Sequence, residues 1–234
     1  MQFSRVVAVI ALLAGCASPG TRPSDMSAAA HDAAAAGAAA AASDHLSRST
    51  PGTARYSEGC LGATAINGPR IPCWTSQGNP AGRHIEEAET QRRTAASHRA
   101  AAQALRDAEA RACSSVQPDD RDMSPFFHRE DIASVTQIPG GASIAFRPVA
   151  GLTREGLQAI VDCHLARSAA LGFDVPEMSY CPLVPRGATA AVRVQGPTLV
   201  TDVRSDDSNG AAEIQRRARL LVVTTTELYG QPGR

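Results

Sequence analysis

The side chains best equipped for chemistry gather in three short segments of this 234-residue chain. Met123-Ser124-Pro125-Phe126-Phe127-His128-Arg129-Glu130-Asp131 sets an imidazole among charges. Asp162-Cys163-His164 puts a thiol beside a second imidazole. Glu177-Met178-Ser179-Tyr180-Cys181 adds a thioether and another thiol. Soft ligands of this kind suit Cu(I), and cysteine with histidine also suits Zn(II). His128, Cys163, His164, Met178 and Cys181 are therefore the ligand pool on which copper or zinc binding would draw. The spacing offers no ready-made site. Neither C-x-x-C nor H-x-x-x-H occurs, and adjacent Cys163 and His164 project about 100° apart on a helix. His164 also falls on the apolar face of its segment, where a histidine is more often packed and hydrogen-bonded than ligating.

Catalytic patterns are weaker still. There is no G-x-S-x-G elbow and no glycine-rich phosphate loop before a helix. Cys113 or Cys163 with His128 would make a thiol–imidazole nucleophile, which needs a depressed thiol pKa and an orienting group. No pattern in the chain demands either. Arg129-Glu130-Asp131 and Arg204-Ser205-Asp206-Asp207 read as strand ends and helix caps. The stretch 202–207 lacks the alternating ligands and terminal glutamate of a calcium loop. The expectation is a non-enzymatic module without a cofactor, with copper or zinc binding as the alternative.

The elements that must position these residues lie in 131–229. Ile132 to Ile138 reads as a strand, Pro139-Gly140-Gly141 as a turn, and Ala142 to Val149 as a second strand with alternating Ile144 and Phe146. A helix follows from Thr153 to Leu171, capped by Thr153 and stapled by Leu152 and Leu157, with Gly172 to end it. The pattern then recurs. Thr189 to Val194 and Thr198 to Arg204 are strands about Gln195-Gly196-Pro197, and a last helix carries Ile214, Ala218 and Leu221. Leu220 to Thr226 reads equally well as a closing strand. The fold class is α+β. A repeated β-β-α unit gives a four-stranded antiparallel sheet with two helices on one face.

Upstream, residues 82–113 form a long Ala/Glu/Arg helix with few large apolar residues, Ile85 and Leu105 among them, and a linker spans 114–130. Residues 56–81, with Cys60, Cys73 and Trp74 among glycines and prolines, have loop composition. Alanine favours helix, yet the run from Ala28 to Ala42 shows no stripe of large apolar side chains, and an isolated helix of that length is marginal in water. Residues 16–55 therefore read as a disordered tether. The chain carries 23 acidic residues against 23 basic ones, all arginine. No basic excess favours nucleic acid.

Residues 1–15 read as a signal peptide: Arg5 supplies positive charge and Val6 to Leu13 an apolar run too short to span a bilayer. The quartet Leu13-Ala14-Gly15-Cys16 that closes it resembles the lipobox of bacterial lipoproteins. The resemblance covers these first sixteen residues only. It implies cleavage before Cys16 and lipidation of its thiol with at least two acyl chains, enough to hold a protein on a membrane. Ala17 after the cysteine implies the outer membrane, facing the periplasm. The expected partners are thus the membrane, through the anchor, and an envelope protein. An oxidising compartment makes disulfides the default. The preferred pairs are Cys60–Cys73 and Cys163–Cys181, leaving Cys113 over. Cys113 with Cys163 or with Cys181 is the alternative.

Overall fold

A computed structural model describes residues 20–49, 57–59, 74–76 and 80–222. The signal peptide, Cys16, Cys60, Cys73 and the chain beyond Val222 lie outside the described residues.

Two helices come first, α1 (Ala28–Arg48) and α2 (Pro80–Ala112), with a short antiparallel pair, β1 (Ser57–Gly59) and β2 (Trp74–Ser76), between them in sequence. The ladder pairs Gly59 with Trp74, the residues that adjoin Cys60 and Cys73 in sequence. Then come β3 (Ile132–Ile138), β4 (Gly141–Phe146), α3 (Arg154–Ala170), β5 (Thr189–Gln195), β6 (Thr198–Arg204) and α4 (Ser208–Leu220). The last four strands form one antiparallel sheet in the order β3-β4-β6-β5. Two hairpins thus meet along β4 and β6, as the repeated β-β-α reading requires.

One face of this sheet is the core. The register aligns Ala142 with Val203 and Ile144 with Thr201, and β5 adds Val192 opposite Thr201. Ala142, Ile144, Val192 and Val203 pack with Leu157 and Val161 of α3 and Ile214 and Ala218 of α4, so both helices cover the same face. The opposite face carries a polar network in which Ser143 Oγ donates to Asp202 at 2.6 Å and Arg193 Nε donates to Asp202 at 3.1 Å. Local chemistry fixes the ends. Thr153 caps α3 by accepting from the Gly156 amide at 3.0 Å, and Asp207 caps α4 by accepting from Gly210 at 2.6 Å. Gly141 permits the tight β4–β6 approach, because a Cβ there would lie 1.9 Å from the Val203 carbonyl oxygen.

The tether reading is corrected over residues 28–48. Ser27 caps α1 by accepting from Ala30 N at 3.1 Å, and α1 packs along α2. The seam recurs at heptad spacing. On α1 it holds Ala28, His31, Ala35 and Ala42; on α2 it holds Ala88, Ala95, His98, Ala102 and Leu105. Alanine lets two helices approach closely, and their tight packing replaces the large apolar stripe. The hairpin also docks on the α+β unit. Ala28 and Leu105 cluster with Ala170 of α3, and Gly172, at φ +78°, accommodates Ser27 where a Cβ would come within 2.9 Å of it. Among the described residues no helix is long and apolar enough to cross a membrane.

Overpacking the seam tests this arrangement. Ala95 is buried and neighbouring Ala96 exposed. Ala95→Leu is expected to destabilise the chain by about 2 kcal/mol in urea unfolding. Ala96→Leu is expected to change stability by less than about 0.5 kcal/mol. Equal effects would mean that α1 does not lie on that face of α2.

Candidate functional site

The adjacent residues of α3 separate into different layers. Cys163 faces α2 and forms a disulfide with Cys113, Cα atoms 4.5 Å apart, beside Val116 and Ile160. His164 faces about 100° away, toward Cys181 in the loop before β5. The preferred Cys163–Cys181 pairing is thereby corrected to its alternative, Cys113–Cys163, and among the described residues the free thiol is Cys181, not Cys113. The physical reason is the 100° step between helix neighbours: Cys163 and His164 cannot both point at Cys181.

Cys181 sits at the centre of a buried polar knot. Its Sγ lies 3.4 Å from His164 Nε2 and accepts a hydrogen bond from Ser124 Oγ at 3.3 Å. The same Ser124 oxygen accepts from the Phe126 amide at 3.1 Å. Arg217 of α4 donates to the carbonyl oxygens of Cys181 and Met178 at 3.3 and 3.4 Å. Four stretches distant in sequence are thus tied at one point. Burial raises the Cys181 thiol pKa above its ordinary value. Burial, reinforced by the Arg167 charge, lowers His164 to about 4. The pair is a neutral thiol beside a neutral imidazole, the opposite of the thiolate–imidazolium state that nucleophilic chemistry uses. His164 Nδ1 has no hydrogen-bond partner among the described residues.

The proposed ligand pool is therefore only partly assembled. His164 and Cys181 meet, and Met178 lines a cavity of about 290 Å3 with His164, Arg167 and Val175. Cys163 is spent in a disulfide. His128 stands apart, its exposed ring contacting Glu130 at 3.1 Å. These five residues do not form one coordination sphere.

A second cavity lies where the 120–131 segment crosses the start of α3. It measures about 270 Å3, and its walls include Met123, Pro125, Phe146, Val149, Leu157 and Ile160. Met123 and Val149 are also exposed on its rim. Phe127 is 56% exposed and stands edge-on to His128, a further lining residue. This cleft is mainly apolar, and Ser124, which is tied to Cys181, is among its lining residues.

Four histidines of the helical hairpin escaped sequence reasoning. His31 and His45 stand two heptads apart on α1, and His84 and His98 two heptads apart on α2. In the antiparallel pair His31 meets His98 and His45 meets His84. The fourteen-residue spacing was the available signal, but it has meaning only once both segments are known to be helices facing each other. No protein-family model, curated protein or solved structure matches the chain.

Proposed function

We propose that this chain is a lipid-anchored envelope protein that acts as a non-enzymatic binding module. Cys16 holds it to the membrane, on the periplasmic face of the outer membrane, and the α+β unit engages a protein partner through the apolar cleft. The observation that carries this reading is the exposure of Met123 and Val149 in the lining of that cleft, with exposed Phe127 packed edge-on against the lining residue His128. Leaving a phenylalanine in water forgoes about 1.5–3 kcal/mol of burial, and a contiguous apolar patch marks an interaction surface. The neutral, buried state of Cys181 and His164 supports binding over turnover.

The test places a photo-crosslinking amino acid at position 127 of the full-length chain in the cell that makes it. A discrete adduct of higher mass is expected from position 127. None is expected from position 194, a valine 60% exposed in β5. In the same experiment a Cys16→Ser chain is expected to leave the membrane fraction and lose the adduct. Absence of any adduct above the position-194 background overturns the docking surface. Membrane retention of Cys16→Ser overturns the anchor.

A further inference from the structure

The two histidine pairs of the α1–α2 hairpin occupy equivalent heptad positions but differ in chemistry. The inner pair is closed. His31 Nε2 lies 3.0 Å from the Arg22 carbonyl oxygen. A carbonyl only accepts, so Nε2 carries the hydrogen and His31 Nδ1 is a lone pair. That lone pair accepts from His98 Nδ1–H at 3.0 Å. Both rings are buried, and every nitrogen at the contact is matched without a further ligand.

The outer pair is open and has a carboxylate. His45 Nδ1 and His84 Nδ1 are 3.4 Å apart. Glu87 Oε2 lies 3.0 Å from the first and 3.2 Å from the second. His84 and Glu87 share one face of α2 at i,i+3 spacing, and His45 reaches them from the end of α1. Three ligand atoms thus converge from two helices in a triangle with edges of 3.0–3.4 Å. Tetrahedral zinc, with bonds of about 2.0–2.1 Å, needs ligand atoms about 3.3 Å apart along each edge. The fourth vertex has somewhere to go. A cavity of about 430 Å3, lined by His45, Glu87, Arg83, Glu86, Thr90 and Gln91, adjoins the triad. Glu86 offsets the Arg83 cation there.

We propose that His45, His84 and Glu87 bind a divalent cation of the zinc class, with the fourth position open to solvent in the adjoining cavity. Two imidazoles and one carboxylate with an open position is an established zinc ligand set. The ion bridges the last turn of α1 to the first turns of α2, so it clamps the hairpin at the end remote from the α+β unit. This inference does not rest on the docking role proposed above, and it places the metal away from His128, Cys163, His164, Met178 and Cys181.

The test uses the full-length chain, stripped of metal by chelator and titrated with Zn(II) against a chromophoric competitor. About one tightly held equivalent is expected. His84→Ala and His45→Ala are expected to weaken binding by more than about 100-fold, beyond the loss that outer-shell changes cause. His128→Ala should leave it unchanged. Far-UV circular dichroism checks that each variant keeps its helices. Co(II) loaded into the unaltered chain provides a readout independent of any variant, with visible bands of tetrahedral nitrogen–oxygen coordination expected. A thiolate-to-cobalt charge-transfer band would place the ion on a cysteine and overturn the site. So would the absence of stoichiometric binding, or binding that persists in His45→Ala/His84→Ala/Glu87→Gln.

Discussion

Removing the Cys113–Cys163 bridge is expected to lower the unfolding free energy by about 4 kcal/mol, the chain-entropy value for a loop of this length. The two cysteines are 50 residues apart. Between them run the linker, the β3–β4 hairpin and the first half of α3, so the bond restricts a large part of the unfolded chain. Alanine is the right replacement at both positions. Both sites are buried, and serine would add the cost of burying hydroxyls without assured partners. Once the bond is gone, what joins α2 to α3 is weaker. Arg167 donates to Glu109 at 2.6 Å and also pairs with Asp122. Both pairs are partly exposed, and such pairs contribute about 0–1 kcal/mol each. Val116 and Ile160 add apolar contact. Guanidinium unfolding of the oxidised chain against Cys113→Ala/Cys163→Ala checks the magnitude. Hydrogen exchange should show protection lost first in α1 and α2. A peptide map with Cys163 linked to Cys181, or a variant as stable as the parent, would contradict this connectivity.

The reasons the α+β unit was readable and the hairpin was not are physical. Each strand of the sheet lies beside a turn that only a few residues can make, such as Gly140 at φ +76° and Gly196 at φ +59°. Thr153 and Asp207 announce helix starts by their capping chemistry. These are local signals, and the repeated order β-β-α leaves few ways to pair the strands. The second strand is the instructive exception. It ends at Phe146, short of the expected Val149, because Pro148 lacks the amide a ladder needs.

The hairpin depends on a partner. Alanine gives almost no contrast between the faces of a helix, so Ala28–Arg48 shows no amphipathic stripe until α2 is laid against it. Ser27 was a legible cap, but a cap cannot say whether the helix has anything to pack on. The disulfide follows the same rule. Cys163–Cys181 was the short-range choice, whereas Cys113–Cys163 exists because the hairpin docks on α3. The candidate sites inherit this split. His164 and Cys181 were singled out, and they meet. The triad of His45, His84 and Glu87 is assembled by helix pairing, and the fourteen-residue histidine spacing within 28–48 and 80–112 gains meaning only from that pairing.

Acid is expected to cost the folded chain about 3 kcal/mol through His164 alone. The imidazole is buried against Cys181, and burial, with Arg167 as a second cause, lowers its pKa from 6.5 to about 4. Between those values the unfolded chain binds a proton at this site and the folded chain does not. Stability is therefore fully present above pH 6.5, falls as the pH drops through the window, and levels off below about 4. The other groups around the ring do not remove the effect. The Cys181 thiol, raised by burial, stays protonated throughout. Asp122 and Glu177 line the adjoining cavity, but Arg167 stands nearer in the balance as a repelling charge. Glu213, held down to about 2 by its Arg216 hydrogen bond and by Arg217, keeps its charge across the window. Urea unfolding at pH 7, 5.5 and 4.5 checks the prediction against His164→Leu, which keeps a similar volume and cannot titrate. The parent should lose about 2 kcal/mol more than the variant across this range, the remainder of the loss falling below pH 4.5. Equal slopes would show that His164 takes up its proton without disturbing the fold. The consequence reaches the cleft. A charged His164 pushes against the point where Ser124, Cys181 and α3 are tied, and Ser124 lines the cleft together with Met123 and Pro125. The rim that presents Phe127 should therefore loosen in acid before the sheet does, with amides of 123–131 losing exchange protection ahead of those in β4 and β6.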